Sequence, residues 1–277
     1  MWKLNKPSVR KAISKDIDEL TSHCASLDNI DKPVLKSLYT AYDRQRGIVS
    51  DAQLTTIPDV KAKAIHGQYD KTNTGDTLEY IRVELNENVD LCPYCSINQV
   101  SQLDHFMPRS KYPALAVCRM NLVPLCGVCN HKKSDDNFNL YIHAYYETFP
   151  SVPFLIANIY VLKLRFVVRY NFDSTAINDT VLEAKLNHQA TEIELWDRLK
   201  KSTNTFINTL CSSCQVNDTL SLTIWLKSRL TEYESNFGLN DWRCAVIRGL
   251  LVCKKLDIDV VNSYKTHAQK VNGGAGA

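Results

Sequence analysis

"LCPYCSINQVSQLDHFMPRSKYPALAVCRMNLVPLCGVCNHKKSDD", residues 91–136, decides how this chain is read. It opens on Cys92-x-x-Cys95 and closes on Cys126-x-x-Cys129. Two such pairs carry the ligand spacing of one tetrahedral zinc. An ion on four thiolates ties the start of the segment to its end, and in so short a piece metal binding supplies much of the folding free energy. Between the pairs, Gln102 to Phe106 reads as a short strand halted by Pro108, and Asn121 to Leu125 reads as a second strand. Cys126 onward reads as a helix bearing Asn130, His131, Lys132 and Lys133. The product is a zinc-stapled ββα hairpin, with Asp104 and His105 on its first strand facing the first turn of the helix.

Three groups of residues carry a resemblance. They are the Asp104-His105 pair, the Asn121-Leu122-Val123-Pro124 strand and the Cys126-x-x-Cys129-Asn130 helix start. Together they resemble the HNH, or ββα-metal, endonuclease family in its four-cysteine zinc form. The ending "NHKKSD" (130–135) is also similar to the HNH domain of RNA-guided CRISPR nucleases. The likeness covers about 45 residues, but its motifs are dense and ordered. It implies a metal-dependent hydrolysis of nucleic-acid phosphodiester bonds that leaves 5′-phosphate and 3′-hydroxyl ends.

The residue chemistry supports the implied roles. Phosphodiester cleavage needs an activated water, neutralised phosphate charge and a stabilised leaving oxygen. His105 can accept the water's proton as general base. Asp104 and the side-chain oxygen of Asn130 are hard ligands for a catalytic Mg²⁺ or Mn²⁺, which takes few protein oxygens and keeps waters and phosphate in its other positions. Asn121 braces the hairpin and helps orient His105. Lys133, at i+3 from Asn130, returns to the active face and can meet a phosphate, while Lys132 and Arg109 are weaker backbone contacts. His131 is turned about 100° from Asn130 around the helix and points elsewhere. Two metals with separate purposes are expected, a structural Zn²⁺ on the four cysteines and the catalytic ion on Asp104 and Asn130.

Outside the hairpin the chain reads as mainly helical, giving an α+β class. Ser8 caps a helix to about Leu27, and Asp31 with Pro33 opens a second one presenting Val34, Leu35, Leu38, Tyr39 and Tyr42. A loop at 71–76 precedes a short helix to about Asn88 that Asp76 and Glu79 cap. "IYVLKLRFVVRYNF" (159–172) alternates as one half-buried strand, with Tyr160, Leu162, Leu164, Phe166, Val168 and Tyr170 on one face and Lys163, Arg165 and Arg169 on the other. Helices follow at roughly 189–212, 217–236 and 240–256, with a short one after them. The expected organisation is an N-terminal helical region (1–90), the nuclease core (91–145), a C-terminal helical region with a short β element (146–270) and a disordered tail (271–277).

Composition is that of an ordinary globular chain, with 44% hydrophobic and 23% charged residues. The formal charge of +3 is too small to argue for nucleic acid by itself, so a polyanion must be gripped by local geometry. The N-terminus carries charges throughout and no apolar core of a signal peptide, and "VPFLIANIYVLKLRFVV" (152–168) is broken by Asn158, Lys163 and Arg165. No membrane role and a cytoplasmic location are expected. Cys211-x-x-Cys214 reads first as packing thiols, and a second zinc with Cys244 or Cys253 is the alternative.

Single-module HNH proteins of this size resemble the nuclease subunits of bacterial anti-phage systems such as Septu and retron-linked Septu. That likeness implies an SMC-like or ABC-type ATPase partner, and implies equally a DNA or a transfer-RNA substrate; DNA is the substrate expected ahead of RNA or tRNA. The competing readings are an RNA- or tRNA-cleaving toxin-like effector and a zinc-organised nucleic-acid-binding module that does not cut.

Overall fold

The computed structural model describes residues 3–7 and 10–273, with backbone alone for Arg10, Lys11 and residues 266–273. The chain divides into two compact units, Lys3–Thr148 and a second beginning at Phe149. It is α+β and mainly helical, with two small antiparallel sheets. Among the described residues no helix is long and apolar enough to cross a membrane.

The first unit starts with α1 (Arg10–His23) and α2 (Asp31–Arg44). The expected cap Ser8, and Val9, lie outside the described residues. α1 stops at His23 rather than near Leu27, and Cys24 and Leu27 are buried in the turns that follow. On α2 the predicted stripe of Leu35, Leu38, Tyr39 and Tyr42 is buried, while Val34 is half-buried. Two short helices that the sequence reading passed over, α3 (Asp51–Leu54) and α4 (Asp59–Gln68), precede a 3₁₀ turn at Tyr69–Thr72. α5 (Glu79–Asn86) then leads to the first cysteine pair. Its expected cap takes another form, because Glu79 reaches back to the amide of Gly75 at 2.9 Å.

β1 (Gln102–His105) and β2 (Leu122–Leu125) pair antiparallel, with Asp104 opposite Val123 and His105 opposite Leu122. α6 (Gly127–Lys132) follows at once, and the Cys126 sulfur accepts the Cys129 amide as its N-cap. Strand, loop, strand and helix therefore stand in the order read from residues 91–136. Arg119 locks this hairpin to the helices before it. Its guanidinium is 2% exposed and bonds Asp16 on α1 twice, at 2.5 and 2.7 Å, and Glu84 on α5 at 2.7 Å.

The second unit corrects one expectation. Residues 159–172 are not a single strand. β3 (Leu155–Leu162) and β4 (Arg165–Phe172) form a hairpin turning at Lys163 and Leu164, both with positive φ. A two-residue turn pairs Leu162 with Arg165 and so shifts the side-chain alternation by one position. Tyr160 and Leu162 thus share the outer face with Arg165, Val167 and Arg169, while Phe166, Val168 and Tyr170 point inward. α7 (Ser174–Ile177), α8 (Thr180–Glu192), α9 (Leu195–Ser213), α10 (Thr219–Phe237), α11 (Trp242–Leu251) and α12 (Ile258–Gly273) complete the unit. The helix expected from 189 is split where Glu194 adopts the left-handed conformation. α11 lies against β3 so closely that a Cβ on Gly249 would stand 2.1 Å from the Ala157 carbonyl oxygen, so only glycine fits there. Of the tail expected from 271, residues 271–273 belong to α12 and 274–277 lie outside the described residues.

Candidate functional site

Cys92, Cys95, Cys126 and Cys129 are all buried, and their sulfurs lie within 4.8 Å of one another. The Sγ atoms of Cys95 and Cys126 are 3.8 Å apart. A tetrahedron of zinc–sulfur bonds near 2.3 Å has an edge of about 3.8 Å, so the spacing fits the ion. Backbone amides of Ile97 and Cys129 each approach a sulfur, Cys95 and Cys126 respectively, at 3.4 Å. Such contacts stabilise thiolate over thiol. Hydrogen bonds from Cys129, Cys92 and Cys95 hold the Cys126 thiol far below its ordinary range, whereas burial pushes Cys92 up. The four-cysteine cluster can hold a structural zinc. Together with the Leu91–Gln99 bridge and the positive φ of Ser96, it fixes where β1 begins.

Strand geometry separates the Asp104-His105 pair, because successive side chains leave opposite faces. Gln102 and Asp104 share the side that α6 covers. Asn130 donates through Nδ2 to Gln102 Oε1 at 2.6 Å, and Lys133 Nζ lies 2.9 Å from Asp104 Oδ2. Lys133 also donates to the His105 carbonyl at 2.9 Å, and its side chain is 2% exposed. The lysine expected on a phosphate therefore sits inside the hairpin, neutralising Asp104 and pinning the end of β1. Burial raises the Asp104 carboxyl above its ordinary range despite that ammonium. The Lys133 ammonium is thus the close polar neighbour of Asp104 Oδ2 within the hairpin.

His105 takes the other side and is 7% exposed. Its Nε2 lies 2.8 Å from the carbonyl of Ala116, which can only accept, so Nε2 carries the hydrogen and Nδ1 is the bare nitrogen of the neutral ring. Burial lowers its pKa to about 4, which keeps the ring neutral near pH 7. Asn121, fully buried, accepts from the Met107 amide (2.7 Å) and Tyr42 hydroxyl (2.9 Å), and donates to the carbonyls of Met107 (3.0 Å) and Leu115 (3.3 Å). It thereby fixes the 106–121 loop at Leu115, the residue beside Ala116.

Two neighbours of the site have no signal in the linear sequence. Tyr69 packs its ring 4.5 Å from that of His105 and donates to the Leu103 carbonyl, and Tyr42 also bonds His143 at 3.1 Å. Arg119 could have been suspected as a charge between Cys118 and Met120, all three of them buried. Arg109 lies 4.6 Å over the Tyr69 ring and 3.6 Å from Asp70. Lys132 is half-buried, and His131 is exposed. Cys211 and Cys214 are buried at the end of α9, with Cys211 pushed up to about 12 by burial. Among the described residues no metal-holding group forms around them.

No protein-family model matches the chain, and no solved structure matches it. A stretch of 40 residues is 48% identical to Protein ea31 of Escherichia phage lambda. That likeness spans 14% of this chain and 14% of the phage protein.

Proposed function

We propose that the chain is a metal-dependent endonuclease of HNH type that hydrolyses phosphodiester bonds in nucleic acid. One observation carries the reading. A neutral histidine held in a single tautomer by the Ala116 carbonyl directly follows a half-buried carboxylate at the end of β1. The Asp104 carboxylate, with the amide oxygen that Asn130 does not spend on Gln102, suits a hard divalent ion. Mg²⁺ or Mn²⁺ bound by Asp104 and Asn130 would supply charge neutralisation at the phosphate and at the leaving oxygen.

The chain's own residues provide the remainder. Nδ1 of His105 accepts the proton of the attacking water as the new P–O bond forms and the bond to the 3′ oxygen breaks. Ala116 keeps the ring in the accepting tautomer, and Asn121 holds Ala116's segment in register. Lys133 anchors both reacting residues, Asp104 through its carboxylate and His105 through its carbonyl. The reading extends to an effector of bacterial anti-phage defence working beside an SMC-like or ABC-type ATPase, with DNA ahead of RNA or tRNA. The likeness to Septu-type nuclease subunits supports it, and co-purification with a neighbouring gene product tests it.

The test of cleavage is digestion of plasmid DNA and of total RNA with Mg²⁺ or Mn²⁺. The wild type should leave 5′-phosphate ends. His105→Ala should keep its fold and its zinc yet cut roughly 10²- to 10⁴-fold more slowly, the usual contribution of a general base. Equal activity in that variant removes the mechanism. A second reading, a zinc-organised binding module that does not cut, is favoured by the Lys133–Asp104 contact, since the carboxylate already faces a cation. Binding of nucleic acid without any metal-stimulated cleavage would establish it.

A further inference from the structure

The outer face of the β3–β4 hairpin carries a pattern that the cleavage reading does not use. Cross-strand pairing sets Leu162 beside Arg165, Tyr160 beside Val167 and Asn158 beside Arg169. All six side chains leave the same face, and all are exposed. Tyr160, 49% exposed, therefore stands between two arginine positions, 165 and 169, whose Cα atoms are about 13 Å apart along β4. Residues 155–172 contain Lys163, Arg165 and Arg169 and no acidic residue. Among the described residues none of these three cations makes an ion pair.

The platform is held rigid from behind. The Tyr264 hydroxyl on α12 accepts the Phe166 amide at 2.8 Å, and Ser263 donates to the Leu164 carbonyl at 2.9 Å. Arg165 rests 4.8 Å over the Tyr264 ring and Arg169 lies 5.9 Å from the Tyr160 ring. Exposed aromatic faces flanked by arginines, on a sheet surface free of acids, are the means by which proteins hold unpaired nucleic acid. Bases stack on the rings, and guanidinium groups meet the phosphates.

We propose that this face binds a single-stranded stretch of DNA or RNA, with a base on Tyr160 and successive phosphates on Arg165 and Arg169. An unpaired strand is the occupant, because a base inside a duplex cannot present its flat face to a tyrosine. The anionic backbone complements a surface of unpaired cations. The proposal stands apart from the cleavage reading and is measured by binding alone.

The experiment uses the full chain with His105→Ala as background, so that no cut can complicate the measurement. Fluorescence anisotropy follows binding of labelled 20-nucleotide single-stranded DNA, the same sequence as RNA, and the DNA duplex, each over a range of salt. Tyr160→Ala should weaken single-strand binding roughly 5- to 100-fold, the reach of one stacked base, and leave duplex binding within about twofold. Arg165→Ala with Arg169→Ala should lower the slope of log affinity against log salt by about 1.4, at 0.7 per single-strand phosphate. Arg165→Lys with Arg169→Lys should retain that slope. The DNA and RNA arms show which strand is preferred. Unchanged single-strand affinity in both alanine variants, with wild-type melting temperature and zinc content, overturns the proposal. So does an equal loss on duplex and single strand in Tyr160→Ala. A shift from dimer to monomer in sedimentation with nucleic-acid binding intact would overturn it too, assigning the face to contact between copies of the chain.

Discussion

Arg119 shows how one side chain can hold a site without belonging to it. Its two bonds to Asp16, both groups 2% exposed, join the residue just before Met120 and Asn121 to α1. Removing one member of such a pair leaves an uncompensated buried charge, which costs about 3–5 kcal/mol. Arg119→Met should therefore lower the unfolding free energy of the zinc-loaded protein, measured by urea titration, by that order, and the Arg119→Met, Asp16→Leu double variant should recover part of it. Acid gives a second readout. Burial raises the Glu84 carboxyl, but the hydrogen bond and charge of Arg119 outweigh it and leave the group below its ordinary range. A carboxyl depressed in the folded state contributes stability above its unfolded pKa and loses it as pH falls through the folded value. The stability gap between wild type and Arg119→Met should accordingly narrow below about pH 4. The pairing itself is not visible in the local sequence, since Asp16 lies 103 positions from its partner.

At the scale of elements, the hairpin at 91–136 was legible because its ligands are named by spacing and its strands by their stops. Zinc on four buried sulfurs should make the ββα element conditional on metal. Cys92→Ala or Cys126→Ala is expected to release zinc, reduce the cooperativity of thermal unfolding and abolish any cleavage, with metal content measured by atomic absorption. Acidification should act in the same direction, because protons compete with zinc for thiolates. What the spacing could not give was orientation. Reading Asp104 and His105 as facing the helix together overlooked the strand's own alternation, and only the three-dimensional arrangement shows Lys133 turned inward. The β3–β4 hairpin escaped for a different reason. Its turn lacks glycine, asparagine and proline, and Lys163 and Leu164 prolong an apolar–polar alternation straight through the reversal. A pattern of period two carries no mark of the point where the chain doubles back.

For the whole molecule, the boundary between the compact units falls at Thr148–Phe149. The unit Lys3–Thr148 encloses both the helical region expected at 1–90 and the core expected at 91–145. The helices before the first cysteine contribute Tyr42, Tyr69, Asp16 and Glu84 to the hairpin's support. A chain ending at Thr148 should therefore fold cooperatively and bind one zinc, whereas one starting at residue 91 should not give a cooperative melt. Zinc titration followed by circular dichroism checks both. The amphipathic stripe of α2 was readable from periodicity, because it buries one face. The short helices α3 and α4 were not, since four to ten residues offer too few turns for a stripe to emerge.

The depth of the four sulfurs has a practical bearing on any metal-dependence assay. Cys92 and Cys129 are 0% exposed and Cys95 and Cys126 2%, so a chelator reaches a zinc there only as the hairpin opens. Asp104 and Asn130 are only half-buried, so an ion held there would be stripped by exchange with solvent without the hairpin opening. Chelation therefore runs on two clocks. Loss within seconds, reversed by magnesium alone, would report the carboxylate ion, and slow loss that only zinc restores would report collapse of the scaffold.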